Sequence, residues 1–262
     1  MKITVFTSNQ CRHNYLINLL SEISEELFVV QECRTIFPGI VPGHYSASLI
    51  MEKYFQNVIK AELELFGQAY VNKFNKKIKT FPMQMGDLNK CSITSLNNFL
   101  KSDYYVVFGS SYIKGKLVEF LVNKKAINIH MGISPYYRGN DCNFWALYDN
   151  NPHLVGATIH HLTRGLDNGP ILYHAMSNKK DNPFEYTMST VQSAFLSLTQ
   201  RIKDNSIKKF IGKVQNKSKE IRYSKKDDFN EGTVKKFLQK KINLKSKKFD
   251  TKLLINPFFL KN

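Results

Sequence analysis

Long apolar runs are missing from this chain of 262 residues. None approaches the ~20 residues that a membrane-spanning helix needs. The N-terminus has no apolar stretch followed by small residues, so it reads as a strand rather than a secretory signal. The expectation is a cytoplasmic protein with no membrane partner. Cysteine is scarce, and the four at 11, 33, 91 and 142 show neither disulfide nor metal-ligand spacing. They read as reduced thiols. The seven histidines do not make a ligand set either: His160 and His161 point to opposite faces of a strand. No metal is expected. There is no G-x-G-x-x-G fingerprint, which disfavours a dinucleotide cofactor. Internal repeats and long low-complexity tracts are also absent. Acidic residues are in deficit, 21 against 38 Lys and Arg, for a formal net charge of +17.

That charge is uneven. Residues 175–262 carry 21 Lys and Arg against 8 Asp and Glu, whereas residues 1–174 carry 17 against 13. A basic tail suits nucleic acid or another anionic surface, and equally a solvated face rich in lysine. Its lysines are scattered among aspartates and form no aromatic-interleaved array of the kind that grips single strands. An apolar content of 42% allows a real core. The length fits one large domain, or one domain with a small appendage. The division expected is a catalytic domain over 1–177 and a small basic C-terminal region over 178–262.

The first part alternates strand and helix. Lys2 to Thr7 reads as a buried strand, Ser8-Asn9-Gln10 as a turn, and Asn14 to Leu20 as a helix. A polar turn into a helix N-terminus suits a phosphate, and Arg12 and His13 lie in that turn or first helical turn. Leu27 to Gln31 is a second strand. Phe37 to Gly43 holds two Pro-Gly pairs, a mobile lid or a rigid turn. Ser46 to Gly67 has helical apolar spacing. Lys77 to Phe81 reads as a strand ending before Pro82, and Leu96 to Leu100 as helical. Tyr104 to Phe108 is a continuous apolar run, expected in a parallel sheet covered on both faces. Gly109-Ser-Ser-Tyr-Ile113 follows at its end, and Leu117 to Leu121 is the returning helix. Trp145 begins a further helix and is expected to pack on the sheet. Beyond Ser177 the rhythm weakens to an amphipathic helix over Thr187 to Lys203, an extended piece over Ile221 to Tyr223, and a helix over Glu231 to Lys241.

The chemistry concentrates between Asn128 and Gly139, Asn-Ile-His-Met-Gly-Ile-Ser-Pro-Tyr-Tyr-Arg-Gly. Pro135 and Gly139 break regular structure, so Asn128 and His130 sit where a strand runs out into a loop. Side chains at i and i+2 share a face. An amide and an imidazole therefore project together at a strand end, where open α/β sheets place their ligands. Downstream, Val155 to His160 reads as another strand. Arg164-Gly-Leu-Asp167-Asn-Gly-Pro follows, with glycines at 165 and 169 that let backbone approach a ligand.

These pieces, Asn-x-His, the Pro-Tyr-Tyr-Arg-Gly turn, Thr-x-His and Gly-Leu-Asp-x-Gly-Pro, resemble the folate-dependent formyltransferase family over roughly Asp103 to His174. The resemblance implies a Rossmann-like α/β fold, with a mostly parallel sheet, helices on both faces and a small C-terminal appendage. It implies Asn128, His130 and Asp167 as catalytic residues and 10-formyltetrahydrofolate as formyl donor. It implies donor contacts from Ser110, Ser111, Tyr112, Ile113, Leu162, Arg164 and Gly165. It places Ser8, Asn9, Arg12, Tyr137 and Arg138 towards the acceptor. The chain departs from many members at Gly132 and Ser134, where they carry Ser and Leu.

Formyl transfer asks for an amide donor on the developing oxyanion, for which Asn128 is suited. It asks for a proton acceptor near neutrality, for which His130 is suited, and for a carboxylate that orients the imidazole, for which Asp167 is suited. A protonated His130 could instead help to hold the oxyanion. The acceptor expected is the amino group of a nucleotide-linked amino sugar, because a similar core with a modest C-terminal extension resembles the amino-sugar branch best. Initiator methionyl-tRNA is the alternative that the basic tail keeps open, and nucleic acid is otherwise the less favoured partner. A non-catalytic folate- or nucleotide-binding module is a third reading. A homodimer is compatible with all three.

Overall fold

The computed structural model describes residues 1–34, 48–72, 75–244 and 249–260. The segment Phe37 to Gly43 and the start of the helix expected from Ser46 lie outside the described residues. The chain runs β1 (Lys2–Thr7), α1 (Cys11–Ile23), β2 (Glu26–Cys33), α2 (Leu49–Phe66), β3 (Ile78–Gln84), β4 (Tyr104–Val107), α3 (Gly115–Asn123), β5 (Ile127–His130), β6 (Tyr137–Gly139), α4 (Cys142–Tyr148), β7 (Ala157–His161), β8 (Ile171–Ser177), α5 (Pro183–Lys203), β9 (Arg222–Ser224), α6 (Glu231–Gln239) and β10 (Phe258–Leu260). Short 3-10 turns join them, among them Asp87–Asn89 and Ile93–Leu100.

Eight strands form one sheet in the order β10-β8-β7-β5-β4-β1-β2-β3. Strands β3, β2, β1, β4 and β5 are parallel. Among the described strands only β7 runs against its neighbours, pairing antiparallel with β5 and with β8. This is the mostly parallel α/β sheet expected. Chain order reverses direction between β1 and β4, the kind of crevice in which doubly wound sheets bind ligands.

Alternation along each strand builds two cores. Ile3, Val5, Val106, Ile127 and Ile129 pack under α1 and α5. Phe6, Tyr105 and Val107 face the opposite layer, made by α3 and the Ile93–Leu100 turn. Because Ile127 and Ile129 face the first layer, Asn128 and His130 project from the other face of β5. Strand β3 runs on through Pro82, which pairs with Gln31. The strand lies at the sheet edge, where a missing N–H costs no ladder bond.

The C-terminal region is joined to the core more closely than its weak sequence rhythm suggests. Helix α5 starts at Pro183, a turn earlier than the apolar spacing indicates. Asn182 caps it, its side-chain oxygen accepting from Phe184 N at 2.8 Å and Glu185 N at 3.3 Å. Its Val191, Ala194, Phe195, Leu198 and Ile202 belong to the same buried cluster as β1 and β4. Strand β10 adds in parallel to β8 and closes that sheet edge. Helix α6 buries Val234 and Phe237 in a third cluster with Phe144, Trp145 and Met51. Residues beyond 177 therefore contribute to the same buried clusters as residues before it. Trp145 is buried as expected, with the Arg222 guanidinium 4.3 Å from its ring centroid.

Candidate active site

Strand β5 ends in Asn128 and His130, and strand register sets what they meet. In the antiparallel β5–β7 pair, Asn128 lies opposite His160 and His130 opposite Thr158. The Thr158 hydroxyl donates to Gly132 O at 2.6 Å and accepts from Ser134 N at 2.8 Å, which fixes the loop leaving β5. The loop after β7 folds back over this face. It is tied down by Arg138, whose guanidinium donates to Leu166 O at 3.2 Å, and by Gln215, whose amide donates to Asp167 O and Gly169 O at 2.8 Å each. Asp167 takes a left-handed conformation with φ 47°, which Asp tolerates better than most residues. Gly169 is needed for a different reason from the one expected. A side chain there would strike the His161 carbonyl and the His160 ring, so the close approach is to the chain's own strand.

The result is a compact polar cluster. His130 Nδ1 stands 3.2 Å from Asp167 Oδ2. The Asn128 amide nitrogen lies 3.4 Å from Asp167 Oδ1 and 3.0 Å from His160 Nε2. His160 Nδ1 is 2.8 Å from the His161 carbonyl. A neutral His160 that donates there must present a lone pair at Nε2, so it accepts from Asn128 and fixes which way the amide faces. Burial alone would push the His130 imidazole down. The Asp167 carboxylate overcomes that, with Cys142 adding to it, and holds His130 well above its ordinary value. Burial likewise opposes the Asp167 charge, and the His130 imidazole overcomes it to hold the carboxyl well below the usual carboxylate range.

Two cavities meet at this cluster. One, of about 350 Å³, is walled by Gly109 to Ile113 after β4 and by Leu162, Thr163, Gly165, Leu166 and Asp167 after β7, with Asn128, His130 and His160 at its floor. The other, of about 310 Å³, lies between α2, α4, α5 and α6 and includes Arg12, Tyr54, Asp141, Phe144, Met188 and Phe237. His130, Met131 and Asn140 line both.

Of the residues expected at the donor, Ser110, Ser111, Tyr112, Ile113, Leu162 and Gly165 gather around the first cavity. Arg164 turns outward to Glu119, 2.5 Å away, and only its carbonyl takes part, accepting from the Tyr112 hydroxyl. Of those expected at the acceptor, Arg12 reaches the second cavity, its guanidinium 3.0 Å from the buried Glu62 carboxylate. The others have internal partners. Ser8 is buried and donates to Glu32 O at 2.9 Å. Asn9 bonds to Arg34 main chain. Tyr137 is buried, its hydroxyl donating to Asp149 at 3.3 Å and accepting from Asn151 at 2.8 Å. Arg138 is buried, donates to Glu220 at 2.9 Å and clamps the Asp167 loop. His160 went unassigned from sequence. Its signal was the Thr-x-His alternation, which puts it on the face of Thr158, but only the β5–β7 register shows that Asn128 is opposite.

The chain matches the family model described as formyl transferase over residues 68–201, about half its length, a span that includes all three members of the cluster. The chain belongs to the formyl transferase family. Solved structures of formyltransferases share its fold. A 4-N formyltransferase from Francisella tularensis is 22% identical, with TM-score 0.52 over 87% of this chain and 77% of that one. An N-formyltransferase from Helicobacter canadensis, solved with folinic acid and dTDP-3-aminofucose, is 13% identical, with TM-score 0.53 over 88% and 73%. Phosphoribosylglycinamide formyltransferase from Anaplasma phagocytophilum is 17% identical, with TM-score 0.52 over 82% and 92%. For this formyltransferase, Asn128, His130 and Asp167 form the polar cluster at the meeting of the two cavities.

Proposed function

We propose that this formyltransferase takes its formyl group from 10-formyltetrahydrofolate and transfers it to the primary amine of a nucleotide-linked amino sugar. The observation that carries the reading is that His130 lines both of two separate cavities, with Asn128 and Asp167 beside it on the wall of the first. A transfer between two substrates needs such a meeting point, because both must reach the same catalytic groups.

The cavity beside Ser110–Ile113 is assigned to the donor. Its volume lies in the range of small-molecule sites, about 300–1,000 Å³, and its walls include the hydroxyl-bearing Ser110, Ser111 and Thr163. The donor supplies the formyl carbon. Asn128 has one amide hydrogen committed to His160 and only the long 3.4 Å contact for the other, which is left to turn towards the formyl oxygen as charge develops there. His130 takes the proton that the attacking amine gives up. The bond from carbon to the acceptor nitrogen forms, the bond to the folate nitrogen breaks, and the proton held by His130 passes to that nitrogen as it leaves. Asp167 keeps the imidazole oriented and stabilises its charged form. A raised pKa makes His130 a stronger base and lowers the fraction that is neutral at pH 7.

The second cavity is assigned to the acceptor. Tyr54, Phe144, Phe184 and Phe237 wall it with rings whose centroids lie 4.6–6.1 Å apart. Such walls suit the apolar faces of a sugar ring. Asp141 opens into it without capping its own helix, which leaves a carboxylate to attract an ammonium group. The dTDP-3-aminofucose held by the Helicobacter protein is an acceptor of this chemical kind. The test is incubation with 10-formyltetrahydrofolate and a panel of nucleotide-linked amino sugars, with methionyl-tRNA in parallel. A sugar that gains the mass of one formyl group supports the reading. Formylation of methionyl-tRNA alone assigns the acceptor to tRNA, and formylation of neither leaves a binding module.

A further inference from the structure

Glu32 is the penultimate residue of β2, fully buried, and some 80 residues from the donor loop in sequence, as the separation of 79 from Ser111 records. Its carboxylate collects four donors. Oε1 accepts from Gly86 N at 2.8 Å, Leu88 N at 3.4 Å and Ser111 Oγ at 2.8 Å, and Oε2 accepts from Ser111 N at 2.6 Å. A buried carboxylate is costly unless it is hydrogen-bonded, and here the turn after β3 and the loop after β4 meet that need together. The same loop is pinned again by Asn89, which donates to Tyr112 O and accepts from Lys114 N, each at 2.8 Å.

These bonds decide which way the loop peptide faces. N–H and C=O point in opposite directions across a trans peptide. With Ser111 N–H drawn to Glu32, the Ser110 carbonyl is turned away from it, on a residue that lines the donor cavity. Ser111 N–H is thereby withdrawn from any ligand. At this peptide the loop offers the Ser110 carbonyl, an acceptor, rather than a donor.

We propose that Glu32 is a positioning residue for donor recognition. By fixing the Ser110–Ser111 peptide, it makes the loop select a flat heterocycle that carries N–H groups on its edge and reject one that lacks them. This rests on the donor assignment above. It adds a specificity determinant outside the cavity, on a neighbouring strand.

The test compares 10-formyltetrahydrofolate with the same compound lacking its 2-amino group, in the wild-type enzyme and in Glu32→Gln. The glutamine has the shape of glutamate but must aim an N–H at one of the donors, which unsettles the peptide. In the wild type the deamino compound should bind at least tenfold more weakly, the scale of one hydrogen bond lost in a buried site. In Glu32→Gln, KM for the donor should rise by roughly tenfold and the discrimination should shrink to within about threefold. The acceptor KM should hold, with kcat changing far less than the donor KM. Ser111→Ala, which keeps the backbone bond, should retain the discrimination. Equal use of both compounds by the wild type overturns the proposal without any variant, as does undiminished discrimination in folded Glu32→Gln. A wild type that binds no formyl-folate removes the donor assignment itself, a separable result.

Discussion

His130 Nδ1 lies 3.2 Å from Asp167 Oδ2, with both side chains largely buried. This contact opposes the effect of burial and raises the imidazole pKa while depressing that of the carboxyl. If neutral His130 accepts the amine proton, turnover increases as pH rises through its pKa. The rising limb should therefore lie above about 6.5, the ordinary histidine value. Asp167→Asn removes the charge that opposes burial. Its limb should move to lower pH, with a smaller maximal rate. A pH–rate profile of kcat/KM for both proteins checks this, and a wild-type limb at or below 6.5 contradicts the general-base role.

Asn128→Ala should lower kcat by about 10²–10³, the usual effect of losing one donor to a developing oxyanion, with little change in either KM. His160→Ala should cost less, because it loosens the Asn128 amide without removing it. Steady-state kinetics with thermal melting separates these effects from misfolding.

Gly132 is wedged between Cys142 and His130. A side chain there would strike the Cys142 Cβ and lie 2.8 Å from His130 Nε2. Gly132→Ser, which introduces the residue many family members carry, should displace the imidazole and cut kcat at least tenfold. Adding Cys142→Gly, which removes the Cβ that would be struck, should restore part of it by making room. Equal activities for the single and double variants would show that the two positions are not coupled through space.

Arg12 and Glu62 form an ion pair with the carboxylate fully buried and Arg12 mostly so. Removing one partner of such a pair costs about 3–5 kcal/mol, because the other charge is left stranded. Arg12→Met should therefore melt well below wild type and raise the acceptor KM. Arg12→Met with Glu62→Leu should recover much of the melting temperature but not the KM. Differential scanning calorimetry and kinetics on the same samples test both parts.

The basic C-terminal stretch separates the possible acceptors. Lys235 and Lys236 are exposed on α6, whereas Lys240 donates to the Tyr148 carbonyl and belongs to the packing. With a nucleotide sugar, neutralising Lys235 and Lys236 should leave turnover nearly unchanged. Salt between about 50 and 200 mM should have only a mild effect, since a small anion is screened modestly. With tRNA, affinity would fall by roughly 10³ or more over that range if six or more phosphates were contacted. A salt titration of the acceptor KM distinguishes the two.

Much of this was legible in the chain. Period-two alternation placed Asn128 and His130 on one face, and the continuous apolar run at Tyr104 gave the buried parallel strand. Partnerships between distant segments were not legible. The β5–β7 register that sets Asn128 opposite His160 depends on loop geometry, which spacing does not encode. Tyr137 and Arg138 sit beside the site in sequence and Ser8 in a polar turn, yet their polar atoms are taken by internal partners. Nothing local distinguishes a ligand contact from such a brace. The C-terminal region looked loose because β10 has three residues and α6 nine, lengths too short to announce the clusters they complete.

The most direct test of the account follows a labelled formyl group. Wild-type enzyme, 10-formyltetrahydrofolate with an isotopically labelled formyl carbon, and a nucleotide-linked amino sugar are mixed, and the acceptor is weighed by mass spectrometry beside an Asn128→Ala and a His130→Ala control. The account expects the label on the sugar amine with wild type, and at least a hundredfold less in the same time with either folded variant. Labelled sugar formed equally fast by the variants, or label released only as formate, would contradict it.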